Sequence, residues 1–185
     1  MSKSLKIFFL GLALILYIPV TKAQSKKFIS GSLGYSDNGV ATLFNVAYSF
    51  QNIKQDFFEL GFYSGFLNET ETEYKIDVSV HTLNLGYFRK IDFLSVQKDY
   101  FLVYAGVGGV IGKETINNGN ESLPNGALIT SRDGSIYGGY AGIQGDLFLT
   151  DRFSLLARYT HYYHVNSEIG KSKFMAGLGL KYVIF

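Results

Sequence analysis

Val40-Ala41-Thr42-Leu43-Phe44-Asn45-Val46-Ala47-Tyr48-Ser49-Phe50 alternates without a break. In an extended chain Val40, Thr42, Phe44, Val46, Tyr48 and Phe50 share one face, and Ala41, Leu43, Asn45, Ala47 and Ser49 the other. The first face is large and apolar; the second is mostly small or polar. Similar two-residue periods recur down the chain. Phe58, Leu60, Phe62, Ser64 and Phe66 oppose Phe57, Glu59, Gly61, Tyr63 and Gly65. Phe153, Leu155, Ala157 and Tyr159 oppose Ser154, Leu156, Arg158 and Thr160, and Phe174 to Ile184 alternates with Gly177, Gly179 and Lys181.

Eight strands are expected, at about 27–35, 40–50, 56–67, 75–90, 99–112, 135–149, 152–165 and 172–185. The fourth changes phase, Ile76, Val78 and Val80 having one parity and Leu83, Leu85 and Tyr87 the other, which predicts a bulge near His81-Thr82. The strands exceed the average of about 5–6 residues in soluble sheets. They are long enough to cross a bilayer at a tilt. An even number of long strands, with large residues outside and Gly, Ser and charges inside, predicts an all-β, antiparallel up-and-down barrel of outer-membrane type. Glu59, Arg89, Asp146, Arg158 and Lys181 are expected inside as an ion network. The competing architecture is a soluble lipocalin-like or sandwich fold that turns its large residues inward. Strand length, aromatic richness and the apolar last strand favour the membrane barrel, and Gly179-x-x-Tyr182-x-Ile184-Phe185 resembles the terminal signal read by barrel-assembly machinery.

Composition agrees. The 185 residues include 21 Gly, 16 Phe and 14 Tyr, but no Cys, no Trp and only two Pro. Charged residues make up 17%, below the roughly 25% of a typical soluble chain. This excludes a disordered chain, a disulfide scaffold and a cysteine metal site. A net charge of +2 argues against electrostatic binding of nucleic acid.

Lys3 and Lys6 precede the apolar run Ile7–Ile18, followed by Pro19 and Thr21-Lys22-Ala23. This is the order of a secretory signal, too short to span a membrane, with cleavage expected after Ala23. Residues 24–185 then form a single barrel domain. Both termini are expected in the periplasm, with connections 36–39, 68–74, 113–134 and 166–171 facing outward.

Recognisable chemistry is sparse. Gly106-Val107-Gly108-Gly109-Val110-Ile111-Gly112-Lys113-Glu114 lacks the Gly and the Ser or Thr of a phosphate loop. Its glycines read instead as relief of crowding inside a narrow barrel. His161 and His164, three apart on a strand, face opposite ways and cannot share a metal. His164 with Ser167 or Glu168 is the remaining nucleophile–base candidate, and it lacks the His-x-Ser spacing of the barrels that deacylate lipid A. The acidic run Glu69–Glu73 reads as a solvated loop. No catalytic, cofactor-binding or metal-binding residue is assigned.

Gly112-Lys113-Glu114-Thr115-Ile116-Asn117, then Asn125-Gly126-Ala127-Leu128-Ile129, Tyr137-Gly138-Gly139 and Leu149-Thr150-Asp151-Arg152 follow one another in order. Over about residues 105–185 this resembles the TraO family of conjugative transposons. The resemblance implies a component of a conjugative DNA-transfer apparatus in a Gram-negative envelope, with no catalytic residues to carry over. The reading is a non-enzymatic outer-membrane barrel acting by assembly, docking or surface contact. Outer-membrane lipid and other transfer proteins are its expected partners, with no direct contact to nucleic acid and no cofactor. Binding residues concentrate on loops held by a rigid scaffold, so Glu114, Asn117, Leu123, Asn125, Gly126 and Ala127 form the candidate partner-binding loop. The alternatives are a barrel serving adhesion or envelope stability, and a lipid A-modifying barrel enzyme.

Overall fold

A computed structural model describes residues 26–49, 56–71, 74–95, 100–120 and 133–184. The segment read as a signal peptide lies outside them. Eight strands follow in chain order: β1 (Lys26–Ser36), β2 (Gly39–Ser49), β3 (Phe57–Glu71), β4 (Tyr74–Lys90), β5 (Phe101–Ile116), β6 (Gly134–Phe148), β7 (Phe153–His164) and β8 (Ser172–Val183). Each pairs antiparallel with the next, and β8 closes on β1 from Phe28↔Val183 to Tyr35↔Ala176. Closure leaves no sheet edge along the barrel wall. Among the described residues no helix is long and apolar enough to cross a membrane.

The alternation reads through to the two faces as expected. Phe44, Leu85, Val107 and Leu178 stand exposed on the outside, while Ala41, Leu43, Asn45 and Ala47 are buried inside. Small inner residues are required where aromatic rings pack against the inner wall. A Cβ on Gly86 would lie 2.0 Å from Tyr140 Oη, and one on Gly108 2.4 Å from the same ring. The glycines of 106–112 lie within β5, and Gly109, paired with Gly139, faces outward, so relief of crowding explains only some of them.

Two expectations are corrected. No bulge interrupts β4: its register with β3 runs unbroken from Phe57↔Phe88 to Glu71↔Tyr74, and with β5 from Val78↔Ile116 to Lys90↔Tyr104. Val78, Val80, Thr82, Asn84 and Phe88 are all buried on one inner face. What changes along β4 is which face carries the apolar residues. Arg89 has the parity of Leu83, Leu85 and Tyr87 and is exposed on the outer face, outside the ion network.

Two strand ends also move. β5 extends to Ile116 and β3 to Glu71, so the connections at the loop-bearing end begin later than expected. The rim there is uneven. The β1–β2 hairpin turns at Asp37 and Asn38, both with left-handed backbone (φ 27° and 61°), as a two-residue hairpin requires. β3 and β4 continue past the last β2 partner, Val40↔Phe66.

Candidate functional site

The bore is filled in layers. Toward the end carrying both termini, Phe28 and Phe57 meet edge to face at 4.9 Å, and Phe57 stacks on Phe88 at 5.2 Å. Above them lies a polar layer built from β3, β6, β7 and β8. Arg158 donates through Nη1 to Glu59 Oε2 (2.8 Å) and through Nη2 to Glu59 Oε1 (2.5 Å), a bidentate pair. Its Nε donates to Thr160 Oγ1 at 3.0 Å, and Tyr140 donates to Glu59 Oε1 at 2.9 Å. Gln144 links this pair to a second one, accepting from Arg158 Nη1 and donating to Asp146 Oδ1, whose other oxygen accepts from Lys181. Both cations also face rings: Arg158 lies 4.6 Å from the Phe88 centroid and Lys181 Nζ 4.0 Å from that of Phe28. Burial of these charges is tolerable because each is paired with an opposite charge and hydrogen-bonded. Four of the five charges expected inside form this brace.

The loop-bearing mouth holds a second polar cluster. Glu114, on β5, is buried and accepts from Ser167 Oγ at 2.9 and 3.0 Å and from the Glu168 amide at 3.3 Å. Lys173 Nζ lies 3.6 Å from the same carboxylate and donates to the Ile169 carbonyl at 2.8 Å. Glu114 therefore draws the β7–β8 connection into the mouth from inside the barrel wall. Asn117 begins the turn Asn117–Gly119, and its side-chain amide donates to the Asn120 carbonyl at 3.0 Å. The base of the long loop is clipped where the Ile116 amide donates to Asp133 Oδ1 at 2.9 Å and Lys113 Nζ lies 3.8 Å from Asp133. Leu123, Asn125, Gly126 and Ala127 lie outside the described residues.

His161 and His164 do face opposite sides. His164 is buried in the bore, and neither ring nitrogen has a hydrogen-bond partner among the described residues. Ser167 is engaged by Glu114, so no His164–Ser167 pair forms. Two serine–histidine contacts that sequence reasoning missed lie on the outer face. Ser64 Oγ meets His81 Nδ1 at 2.9 Å, and Ser172 Oγ meets His161 Nε2 at 3.0 Å. The strand register alone identifies the first, since Ser64 and His81 are direct partners. In the neighbouring β1–β2 turn, burial pushes the Asp37 carboxyl above its usual range, opposed by the Phe174 amide that donates to it and by the charges of Lys173 and His161. Among the described residues, no three carboxylate, imidazole or thiol groups gather as a metal site.

Closed eight-strand connectivity, a lipid-compatible outside and a packed polar bore define an outer-membrane-type β-barrel. Solved structures agree on that fold. Neisserial surface protein A is 12% identical, with a TM-score of 0.55 over 85% of this chain and 96% of that one. A major outer membrane protein from Thermus thermophilus is 12% identical, with a TM-score of 0.61 over 86% and 99%. Ail, the attachment invasion locus protein of Yersinia pestis, is 16% identical, with a TM-score of 0.54 over 89% and 100%. No curated protein matches. The profile of the conjugative transposon protein TraO family matches residues 27–184, and the chain belongs to that family.

Proposed function

We propose that this protein is an outer-membrane component of a conjugative DNA-transfer apparatus that works by assembly, docking or surface contact. Exported by its N-terminal signal, the barrel stands in lipid with both termini in the periplasm and the loop-bearing rim outside. The observation that carries the reading is the bore. Glu59–Arg158 and Asp146–Lys181, bridged by Gln144, cross it between β3 and β6–β8, and aromatic rings fill the layer toward the termini. A bore closed by side chains has no room for DNA, so contact at its ends remains as the mode of action. Family membership supplies the process, and other transfer proteins are the partners it supports.

The outward candidate surface is the loop that starts at Asn117 and returns at Asp133, with Leu123, Asn125, Gly126 and Ala127 in its span. Its clipped base gives it a fixed origin on the wall, as binding loops on rigid scaffolds require. Deleting the gene from its element and measuring transfer frequency tests the reading, with complementation in trans by the full chain and by a chain lacking residues 121–131. Transfer is expected to collapse with growth and envelope integrity unchanged, and the correctly inserted loop deletion to fail in rescue. Unchanged transfer after gene deletion would remove conjugation from the account.

A further inference from the structure

Near the loop-bearing rim, β7 and β8 present a nucleophile–base pair on the outside of the wall. Ser172 Oγ meets His161 Nε2 at 3.0 Å, and both residues are exposed. With the imidazole proton on Nδ1, Nε2 accepts from the hydroxyl, the polarity in which a general base activates serine. The Asp37 carboxyl in the neighbouring turn is close enough for the charge of His161 to act on it, so its anion favours an imidazolium formed there. The Phe174 amide points away from β7, donating to Asp37 Oδ2 at 3.1 Å. Two residues earlier, Ser172 directs its amide to the same side, where β8 runs past its last β1 partner, Tyr35↔Ala176.

On the same strands, toward mid-wall, the outer face opens into an apolar groove of about 690 Å³ lined by Ile143, Gly145, Ala157, Tyr159, Ala176 and Leu178 among others. Gly145 and Ala157, direct strand partners, contribute its small residues. Between groove and pair lie Tyr159 and Phe174, their rings stacked at 6.2 Å, with Tyr35 6.0 Å from Phe174. Outward aromatic side chains near a barrel rim mark the level where hydrocarbon meets headgroups, and lipid acyl esters lie at that level. An acyl chain lying in the groove brings its ester carbonyl up to Ser172. The other outer serine–histidine pair lacks this setting. Ser64 and His81 are half-buried, and the imidazole stands between Phe62 at 6.2 Å and Phe66 at 5.9 Å. No residue of β3 or β4 lines the groove.

We propose that the barrel hydrolyses an acyl ester of an outer-leaflet lipid, with Ser172 as nucleophile and His161 as general base. Ser172 Oγ bonds to the ester carbonyl carbon as its proton passes to His161 Nε2. The oxyanion accepts from the Ser172 amide. As the tetrahedral intermediate collapses, the bond from carbon to the lipid alcohol oxygen breaks, and His161 gives that oxygen the proton. Water, deprotonated by His161, then attacks the acyl-serine and releases the fatty acid and free Ser172. This rests on the barrel standing in lipid with its loop-bearing rim outside, and not on its part in transfer.

The test uses the full chain, purified from membranes and reconstituted into phosphatidylethanolamine vesicles with or without lipid A. Fatty acid release is read by mass spectrometry against protein-free vesicles, and the two arms identify which lipid's ester is cut. Ser172→Ala is expected to reduce release to the protein-free level, and His161→Ala to lower it about a hundredfold or more. Heat-modifiable gel mobility shows that each variant is fully assembled. Ser64→Ala is expected to leave release unchanged. A fluorophosphonate, whose fluoride Ser172 Oγ displaces, should label the native chain and not Ser172→Ala. Ala157→Phe, which fills the groove, should shift release toward shorter acyl chains. No release from either vesicle would overturn the proposal, as would release or labelling that persists in Ser172→Ala. Equal loss in Ser64→Ala would overturn it too, because the pair at the head of the groove would then have no distinct role. Transfer frequency after gene deletion is a separate readout, so failure here leaves the reading of the protein as a transfer component standing.

Discussion

Arg158 is the residue on which the bore depends most. It joins Glu59, Gln144 and Thr160 while lying over Phe88. Removing one member of a buried pair leaves the other charge without compensation, whereas replacing both with apolar residues of similar size is often neutral. Glu59→Leu or Arg158→Met alone is expected to destabilise the barrel by about 3–5 kcal/mol. The double substitution should recover most of that loss, as read from urea-induced unfolding in a lipid bilayer. Parity along the strands made Glu59, Asp146, Arg158 and Lys181 legible as inward residues before any coordinates. The pairing among them was not legible, because it depends on which strands stand opposite across the bore. Parity likewise places Arg89 with Tyr87 on the outside.

The strands themselves were the most legible feature, because a half-buried strand writes its two environments directly into alternate residues. β4 shows where that rule falls short. Val78 and Val80 are inward at the loop-bearing mouth and Leu83 and Leu85 outward at mid-wall, so the apolar residues exchange parity while the backbone continues straight. A change of surroundings along one strand mimics a change of register. Glu114 was assigned to a loop for a related reason: a charged residue after Gly112 reads as the end of a strand unless its buried partners Ser167 and Lys173, from a distant part of the chain, are known.

The β1–β2 turn gives a pH signature at this scale. Asp37 has a raised pKa in the folded protein, so the folded state holds its proton more tightly than the unfolded state does. Its contribution favours folding at low pH and is lost as pH rises through the raised value. Asp37→Asn keeps an acceptor for the Phe174 amide and tolerates the left-handed backbone. Unfolding midpoints measured between about pH 3 and pH 7 should shift in favour of Asp37→Asn as pH rises, since the variant has no ionisation at that position.

For the molecule as a whole, the sequence carries the class of architecture and its count of strands, and the ordered motifs from Gly112 to Arg152 carry the family. The cluster of Glu114, Ser167 and Lys173 at the mouth was hidden, since it depends on how the β7–β8 connection folds back on the wall. Contacts between neighbours in the ring are equivalent in kind, including the one between the first and last strands. The amide of Ile184 donates to the carbonyl of Lys27 at 2.8 Å, so the two ends of the ladder meet on adjacent strands at the same rim. The ring thus has no first strand. A circular permutant that joins these ends through a short flexible linker and opens the chain between 121 and 132 should assemble the same barrel, with the same shift in gel mobility on heating. Strand order here is a cyclic order, and the chain's starting point is a matter of where the circle happens to be cut.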